Sequence, residues 1–354
     1  MLVKLLFVER LFLYIQKGEL GMKTIIQAPM AGGNATPALA HAVSSAGGLG
    51  YLAGGYKTVD ALKEEIHSLR ALGTTEFGVN LFVPHIANVE TAAIRQHMTD
   101  MAHEAQQIGE QAGKFAFSTD EWEAKLQLMM TERVPIVSFT FNLPSKEVIA
   151  CLKKHDIYTV QTVTLVEEAQ AAVARGIDAI CVQGMEAGGH RSTFDDRDPV
   201  DVPPLVELIK QVVAAVDVPV IAAGGIMNGA MIRDVLEAGA TAAQLGTAFL
   251  CCPESGTKPT HIKALTSGVF TETALTRAYT GRLARGLKND LMKRYPDAPK
   301  AYPEMHYVTQ SFRKKAGELD RPDLLAMWAG VNFNNIRIMP ARQLVEILKK
   351  EAGI

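Results

Sequence analysis

A histidine directly follows two glycines in the stretch VQGMEAGGHR, residues 182–191. An imidazole titrates near neutral pH, so His190 is a candidate general acid, general base or hydrogen-bond donor. Gly188 and Gly189 allow the backbone to pass close to a bound molecule. A tight turn in an ordinary loop would use the same residue types. The place of this stretch in the fold therefore decides between the two interpretations.

Three amide side chains stand at or near the ends of apolar runs, namely Asn80, Gln183 and Gln244. An amide offers a donor and an acceptor without a charge, which suits the edge of a planar heterocycle such as a flavin ring. A lone buried amide more often bonds to a neighbouring loop. Three amides together favour a ligand, provided that the fold brings the ends of these runs together.

Glycines also follow two later apolar runs, in the stretches AAGG and QLGT. Backbone N–H groups of Gly225, Gly246 and Thr247 would point at a phosphate, and a following helix N-terminus would favour its charge. The alternative is that Gly224 and Gly225 only allow close packing of a strand and a helix. No GxGxxG motif opens a helix with an acidic residue downstream, so flavin mononucleotide (FMN) fits better than a dinucleotide.

Eight short apolar runs must position these residues. Most are almost continuously apolar rather than alternating, which is typical of strands buried on both faces of a parallel sheet. Helical stretches separate them along the chain. The runs cover residues 24–30, 48–54, 77–83, 135–141, 157–163, 179–184, 218–224 and 242–249.

The helices between the runs have recognisable boundary signals. Thr36 followed by Pro37 predicts an N-cap with proline at the first helical position. Residues 164–167 have the pattern of a capping box, and Asn228 is placed to cap the helix that follows it. Eight strand–helix units with right-handed crossovers favour an α/β fold, a closed (β/α)8 TIM barrel. A doubly wound open sheet is the alternative.

In a (β/α)8 barrel the active site lies at the carboxyl ends of the strands. His190 and the glycine and amide residues above all fall at or just beyond such ends. The loop after the sixth run extends to about residue 203, and long loops without secondary structure are usually functional. The position therefore favours a functional interpretation of His190, in a loop that we expect to be irregular.

The regular alternation is interrupted twice. Residues 84–134 contain two helical patterns, and residues 255–320 include the arginine- and tyrosine-rich stretch RAYTGRLARGLKNDLMKRY. We expect both segments to contribute to a small helical cap domain at the carboxyl face of an FMN-binding barrel that spans residues 22–254. Residues 321–354 are expected to end in a helix that packs on the barrel. Residues 1–21 are interpreted as a non-native or disordered extension, with Met22 as the natural start.

Composition excludes several classes of partner. A formal net charge of −2 and an aromatic content of 6% argue against nucleic acid and anionic membranes as partners. The four cysteines form no CxxC pair and no zinc-ligand spacing, so neither a disulfide framework nor a metal site is expected. Such isolated cysteines fit a reducing compartment, which predicts a cytoplasmic location. Monomer and homodimer remain open.

Six motifs, in order along the chain, resemble those of the nitronate monooxygenase family, also called 2-nitropropane dioxygenases, in its class I-like form. They are QAPMAGG, AVSSAGGLGYLAGG, FGVNLF, VQGMEAGGHR, AAGGIMNG and QLGTAFL. The resemblance covers most of the chain from Met22. One residue departs from the pattern, because Ser192 follows Arg191 where the family commonly has glycine.

The resemblance implies an FMN-dependent oxidoreductase that oxidises alkyl nitronates, such as propionate 3-nitronate, with O2 to a carbonyl compound and nitrite. This reaction is detoxifying. The resemblance also implies that His190 is the catalytic residue and that it donates to the nitronate charge when protonated, or takes the α-proton of a neutral nitroalkane. The residues expected to bind the flavin are Ala28, Pro29, Met30, Asn80, Gln183, Gly188, Gly189, Gly224, Gly225, Gln244, Leu245, Gly246 and Thr247.

Other functions on the same barrel remain as alternatives. A flavin-dependent enoyl-ACP reductase has a similar glycine–glycine–histidine loop, but the proline in QAPMAGG favours the monooxygenase. An NADH:quinone reductase is a further alternative. A non-catalytic FMN-binding sensor is the alternative outside enzymes, and the loss of a site residue would support it. None of the expected site residues is missing.

Overall fold

The fold was analysed in a computed structural model that describes residues 23–199 and 201–354. The expected extension at residues 1–21 and the start at Met22 lie outside the described residues. Eleven strands are present in the described part of the chain. They are β1 Ile25–Gln27, β2 Tyr51–Ala53, β3 Gly78–Phe82, β4 Ile136–Thr140, β5 Tyr158–Val163, β6 Ala179–Gln183, β7 Gly189–His190, β8 Val220–Ala223, β9 Ala242–Leu245, β10 Thr273–Thr276 and β11 Ala284–Leu287.

Twelve α-helices accompany these strands over the same described residues. They are α1 Pro37–Ser45, α2 Val59–Ala71, α3 Ala92–Gln107, α4 Trp122–Thr131, α5 Lys146–Lys154, α6 Val166–Arg175, α7 Leu205–Ala215, α8 Gly229–Glu237, α9 Pro259–Thr266, α10 Asp290–Arg294, α11 Glu304–Glu318 and α12 Ala341–Ala352. Two short 3-10 helices cover Thr247–Phe249 and Phe333–Asn335.

Eight strands form one parallel sheet in the order β1-β9-β8-β6-β5-β4-β3-β2. The two edges of the sheet meet, because the Gln27 N–H donates to the Leu49 carbonyl (2.9 Å) and the Leu49 N–H donates to the Ile25 carbonyl (3.0 Å). The sheet is therefore a barrel, as the eight apolar runs predicted, and the open-sheet alternative is wrong.

Side chains alternate between the two faces of each strand, and both faces are buried. The outer face packs against the ring of helices in the main core cluster, which includes Leu52, Val79 and Ile180. The inner face fills the barrel with a second cluster, which includes Ile26 and Tyr51. Burial on both faces explains why the runs read as continuous rather than alternating.

Two of the three predicted helix starts are confirmed, and the third is displaced by one residue. Thr36 and Asn228 accept hydrogen bonds from the third residue after them, as N-caps do. The predicted capping box at 164–167 is wrong. Leu165 is the N-cap of α6, and the Glu168 carboxylate accepts hydrogen bonds from both the N–H (2.7 Å) and the Oγ1 (3.0 Å) of Thr164.

A second body of structure covers the carboxyl end of the barrel. Helices α3 and α11 pack together around a separate hydrophobic cluster that includes Met101, Met305 and Phe312. Residues 255–320, which the sequence suggested to be helical, also contain the antiparallel pair β10 and β11. These two strands of four residues lie beside arginines and a turn, so the sequence has no alternating apolar pattern to reveal them.

Helix α12 packs against α8 and α1 in the outer layer of the barrel. Its contact with α8 is close, because a Cβ added at Gly229 would lie 2.2 Å from the Cβ of Glu351. Among the described helices, none has both the length and the apolar character needed to cross a lipid bilayer.

Gly50 tests how tightly α1 packs on the barrel. A Cβ at this position would lie 2.2 Å from the carbonyl oxygen of Ala40, which belongs to the helix backbone. We expect Gly50→Ala to lower the free energy of unfolding by about 1–3 kcal/mol or more, because helical backbone cannot move aside as a side chain would. Urea denaturation of the purified protein would measure the change.

The matched control is Gly317→Ala in α11, where the new Cβ would meet only Leu325 Cδ2 at 3.9 Å. This variant should be unchanged or more stable by up to about 1 kcal/mol, since alanine is the better helix former. Equal effects of the two variants would contradict the packing argument.

Candidate active site at the barrel mouth

The three predicted amides lie in one layer at the mouth of the barrel. Strand register places Gln183 beside Ala223 and Ala223 beside Gln244, while Asn80 lies beside Ala53. Ala223 belongs to the inner cluster, so its register neighbours face the barrel interior as well. The structure therefore brings Gln183 and Gln244 together on either side of Ala223, and Asn80 faces the same interior from β3, three strands away from β6.

Two of these amides are oriented by the barrel itself. Asn80 Nδ2 donates to Ser138 Oγ and Thr140 Oγ1, both at 2.9 Å. Gln244 Nε2 lies 3.4 Å from Cys181 Sγ. No described residue donates to Asn80 Oδ1 or to Gln244 Oε1. The barrel thus holds the amide nitrogens and leaves two carbonyl oxygens as acceptors at its mouth.

Gln183 is bonded to the histidine loop. Its Nε2 donates to the His190 carbonyl (2.9 Å), and its Oε1 accepts from the Ser192 N–H (2.9 Å). The side chain therefore holds the histidine loop in place. Ser192 is buried and uses its backbone for this contact, so the departure from glycine does not disturb the loop at this point.

The histidine loop is more regular than expected. Gly189 and His190 form the short strand β7, which pairs antiparallel with β11 through Arg285 and Ala284. The prediction of an irregular loop is wrong at these two residues, because their partner strand lies about a hundred positions along the chain. Gly189 has a φ of +80°, which a glycine adopts without strain.

Sequence reasoning also missed Glu168, which anchors the loop from the barrel side. Its Oε1 accepts from Thr193 Oγ1 (2.7 Å) and from the Phe194 N–H (2.6 Å). Arg191 supports the same connection by donating from its guanidinium to the carbonyls of Gln183 and Thr164, each at 3.2 Å. A carboxylate in the first turn of a helix was visible in the sequence, but its contact 25 residues away was not.

His190 is enclosed by aromatic rings. The ring centroids of Trp328, Tyr302 and Phe141 lie 5.4, 5.6 and 5.9 Å from that of the imidazole. Nε2 lies 2.8 Å from Thr280 Oγ1, and no described residue bonds to Nδ1. Burial, together with the nearby charges of Arg282 and Arg313, lowers the pKa of His190 to about 3. This pKa favours a neutral imidazole at physiological pH, which corresponds to the general-base form of the two predicted for His190.

Arg282 provides the positive charge of the site. It is 1% exposed, and it donates to the carbonyls of Arg191 (3.0 Å) and Thr193. Its guanidinium carbon lies 4.2 Å from the centroid of the Phe141 ring, in a cation–π contact. Among the described residues, no carboxylate comes within 4 Å of this guanidinium. The charge is thus stabilised by carbonyls and a ring but has no counter-ion in contact.

His85 completes the arrangement, with Nε2 3.0 Å from Arg282 Nη1. Burial, and secondarily the charge of Arg282, lowers the pKa of His85 to about 4, so this ring accepts the hydrogen bond as a neutral imidazole. The sequence contains no signal for the site positions of six residues, namely His85, Phe141, Thr280, Arg282, Tyr302 and Trp328. The stretch RAYTGRLARG signalled unusual arginines, but nothing in it showed which one is buried.

The two glycine loops form a second part of the site. The backbone N–H groups of Gly225, Gly246 and Thr247 donate to no described residue. A segment that the sequence did not predict, residues 328–332, lies across these loops. The Gly330 N–H donates to Thr247 Oγ1 (3.0 Å), and Asn332 Nδ2 donates to the Gly225 carbonyl (2.8 Å).

Some of the predicted glycines are required by this segment as much as by a ligand. A Cβ at Gly188 would lie 2.5 Å from the carbonyl carbon of Ala329, and one at Gly225 would lie 3.2 Å from Asn332 Nδ2 as well as 2.9 Å from Glu186 Cβ in the histidine loop. At Gly246, by contrast, the nearest atoms would be Ala28 Cβ and Met30 Sδ, at 3.5 and 3.8 Å.

The remaining predicted residues also reach the mouth, mainly through their backbone. The Ala28 N–H donates to the Leu245 carbonyl (2.8 Å), which fastens the loop after β1 to the end of β9. Pro29 follows in this loop and is half-buried. The side chain of Leu245 belongs to the outer core. Gly224 has a φ of +128° in the loop after β8.

The chain is similar to known proteins over nearly its whole length. The family model for nitronate monooxygenase matches residues 15–351. A probable nitronate monooxygenase of Staphylococcus aureus strain Newman is 35% identical over 327 residues, which are 91% of this chain and 92% of that protein. A nitroalkane oxidase structure from Streptomyces ansochromogenes has a TM-score of 0.89 and 45% identity, and covers 93% of this chain and 95% of its own.

A second solved structure is also similar to this chain over most of its length. FabK from Thermotoga maritima has a TM-score of 0.70 and 26% identity, and covers 94% of this chain and 93% of its own. The match to the monooxygenase model covers nearly the whole chain and identifies an oxidoreductase of a family that is flavin-dependent in general. The chain belongs to the nitronate monooxygenase family.

Proposed function

We propose that this protein is an FMN-dependent enzyme that oxidises alkyl nitronates with O2 to a carbonyl compound and nitrite. The observation that supports it most is the pairing of a neutral imidazole with a buried arginine at the barrel mouth. His190 is neutral, and Arg282 carries a positive charge without a carboxylate in contact. Asp196 acts on Arg282 from beyond contact distance and is itself paired with Arg277. An anionic substrate such as a nitronate would supply a counter-charge in contact.

The residues present fit FMN. Three backbone N–H groups without described partners, at Gly225, Gly246 and Thr247, would hold a single phosphate. The free carbonyl oxygens of Asn80 and Gln244 would accept from the ring edge. Ala53 and Ala223 leave room in the same layer. When bound, the flavin supplies the electron acceptor and the reaction with O2.

The chain itself binds and orients the substrate. The rings of Phe141, Tyr302 and Trp328 surround His190 and exclude water, which strengthens the attraction between Arg282 and an anion. Thr280 occupies Nε2 of His190, so Nδ1 is the nitrogen left for the substrate. A neutral nitroalkane needs a base to remove its α-proton, whereas a nitronate has already lost that proton.

The direct test begins with the visible spectrum of the purified protein. We expect bound or reconstitutable FMN, and O2 consumption with nitrite release when ethylnitronate is added. A colourless protein that FMN does not reconstitute would contradict the cofactor. NADH oxidation with a quinone or an enoyl thioester, without any nitronate-dependent O2 uptake, would show that one of the reductase alternatives is correct.

The variant His190→Asn should affect the oxidation of a neutral nitroalkane and of its nitronate differently. The rate with neutral nitroethane should fall by roughly 10²-fold or more, because a general base is lost. The rate with ethylnitronate should fall by less than about 10-fold, since no proton has to be removed. The matched control is His103→Asn, at an exposed position on α3. Equal losses with both substrates would remove His190 from the role of base.

The lowered pKa of His190 predicts the pH dependence. The base form of a group with a pKa of about 3 is present at all higher pH values, so it persists as the pH falls from 7 to 5. A histidine with an unperturbed pKa near 6.5 would lose about 30-fold of its base form at pH 5. We expect kcat/KM for nitroethane to show no such loss. An inflection near pH 6.5 that His190→Asn abolishes would contradict this.

A further inference from the structure

The turn between β10 and β11 carries a second arginine beside Arg282. The side chain of this residue, Arg277, is 10% exposed. Its Nη2 lies 3.3 Å from Asp196 Oδ1, and its Nη1 lies 2.7 Å from Asp198 Oδ1. Both aspartates follow His190 in the histidine loop. The turn therefore holds the loop through two arginines, one bonded to its backbone and one to its carboxylates.

Asp196 has both arginines as neighbours but contacts only Arg277. The N–H of Leu283, the residue after Arg282, donates a hydrogen bond to the Asp196 carboxylate. Burial raises the pKa of Asp196, and the charge of Arg282, followed by that of Arg277, opposes this rise. Asp196 is in turn the carboxylate that acts most strongly on Arg282. A single negative charge is thus shared between two cations, of which one is in contact.

Asp198 provides the comparison on the same guanidinium. Its side chain is 70% exposed, whereas that of Asp196 is 17% exposed. Asp198 also lies 3.7 Å from Lys300 Nζ, and the charge of Arg277 first, with that of Lys300 after it, lowers the pKa of Asp198. Arg277 therefore pairs with one carboxylate near solvent and with one near the buried arginine.

Arg282 has room for a further acceptor. Each of its three guanidinium nitrogens has one described partner, which is a loop carbonyl for Nε and Nη2 and the His85 ring for Nη1. A guanidinium has five N–H groups, so one N–H on each Nη has no partner among the described residues. A carboxylate that reached these groups would compete with an anionic substrate for them.

We propose that Arg277 is a positioning residue that holds Asp196 off Arg282 and so keeps the buried guanidinium available to an anionic substrate. The inference rests on the proposed function. Without Arg277, Asp196 would lose its cation in contact, and Arg282 would be the strongest attraction left to it. An unpaired buried carboxylate is costly, so the two would pair. The substrate would then have to displace Asp196, which weakens binding but leaves the reaction of bound substrate unchanged.

Arg277→Met tests the positioning role. We expect KM for ethylnitronate to rise at least about 5-fold while kcat changes by less than about 3-fold, because an internal carboxylate competes with binding only. Initial rates of O2 uptake at several ethylnitronate concentrations measure both constants, and KM does not depend on the fraction of protein that is folded. If Arg277→Met does not fold, Arg277→Gln is measured in its place. An unchanged KM overturns the proposal.

Variants of the two aspartates distinguish a released Asp196 from the mere loss of a positive charge. In an Asp196→Asn background, Arg277→Met should change KM by less than about 2-fold, because no carboxylate is left to reach Arg282. Asp198→Asn is the matched control, since it removes the other carboxylate on Arg277. In that background Arg277→Met should still raise KM at least about 5-fold. Equal increases in both backgrounds would show a long-range charge effect and overturn the role of Asp196.

The two levels of the proposal fail differently. A wild-type enzyme that oxidises no nitronate contradicts the proposed function. A wild-type enzyme that oxidises ethylnitronate, with a KM that Arg277→Met leaves unchanged, overturns only the inference about Arg277.

Discussion

The buried positive charge of Arg282 is the constraint on which the site depends. A buried guanidinium without a carboxylate in contact is costly unless its N–H groups are satisfied. Arg282 meets this need with the carbonyls of Arg191 and Thr193 and with the ring nitrogen of His85. The two carbonyls belong to the loop that carries His190, so satisfying the arginine also fixes the histidine. The same charge contributes to keeping both imidazoles neutral.

This constraint joins the cap to the barrel. Arg282 precedes β11, and β11 pairs with β7 to complete the backbone hydrogen bonds of the histidine loop. From the barrel side, Gln183 and Glu168 hold the same loop. The conformation of the histidine loop therefore depends on contacts from both the cap and the barrel. Without Arg282 and strand β11, the loop would lack both the side-chain donor and the partner strand that hold His190 in place.

The barrel could be predicted from the sequence because each strand is recognised from neighbouring residues alone. Eight buried strands read as eight apolar runs, and the glycines at their ends mark one face. The environment of His190 could not be predicted in the same way, because Thr280, Tyr302 and Trp328 lie 90 or more positions away. Strands as short as β7 and β11 have no periodicity to detect, and their pairing is decided by tertiary contacts. The contacts of Gln183 with the loop could not be chosen from the sequence for a related reason: a polar side chain at a strand end has the same sequence pattern whether it contacts a ligand or a loop.

Under the proposed function, the lowered pKa keeps His190 in its base form throughout the physiological range and at the same time makes it a weaker base. An imidazole with an ordinary pKa would be cationic in part of the population, and that part could not remove a proton from a nitroalkane. Arg282 keeps its proton at physiological pH and can attract an anion, while the neutral His190 can accept a proton. The two tasks therefore fall to different residues. The aromatic rings make this separation possible, since burial lowers the pKa of His190 more than any single charge does. The site therefore keeps a constant charge and a constant base over the same range of pH.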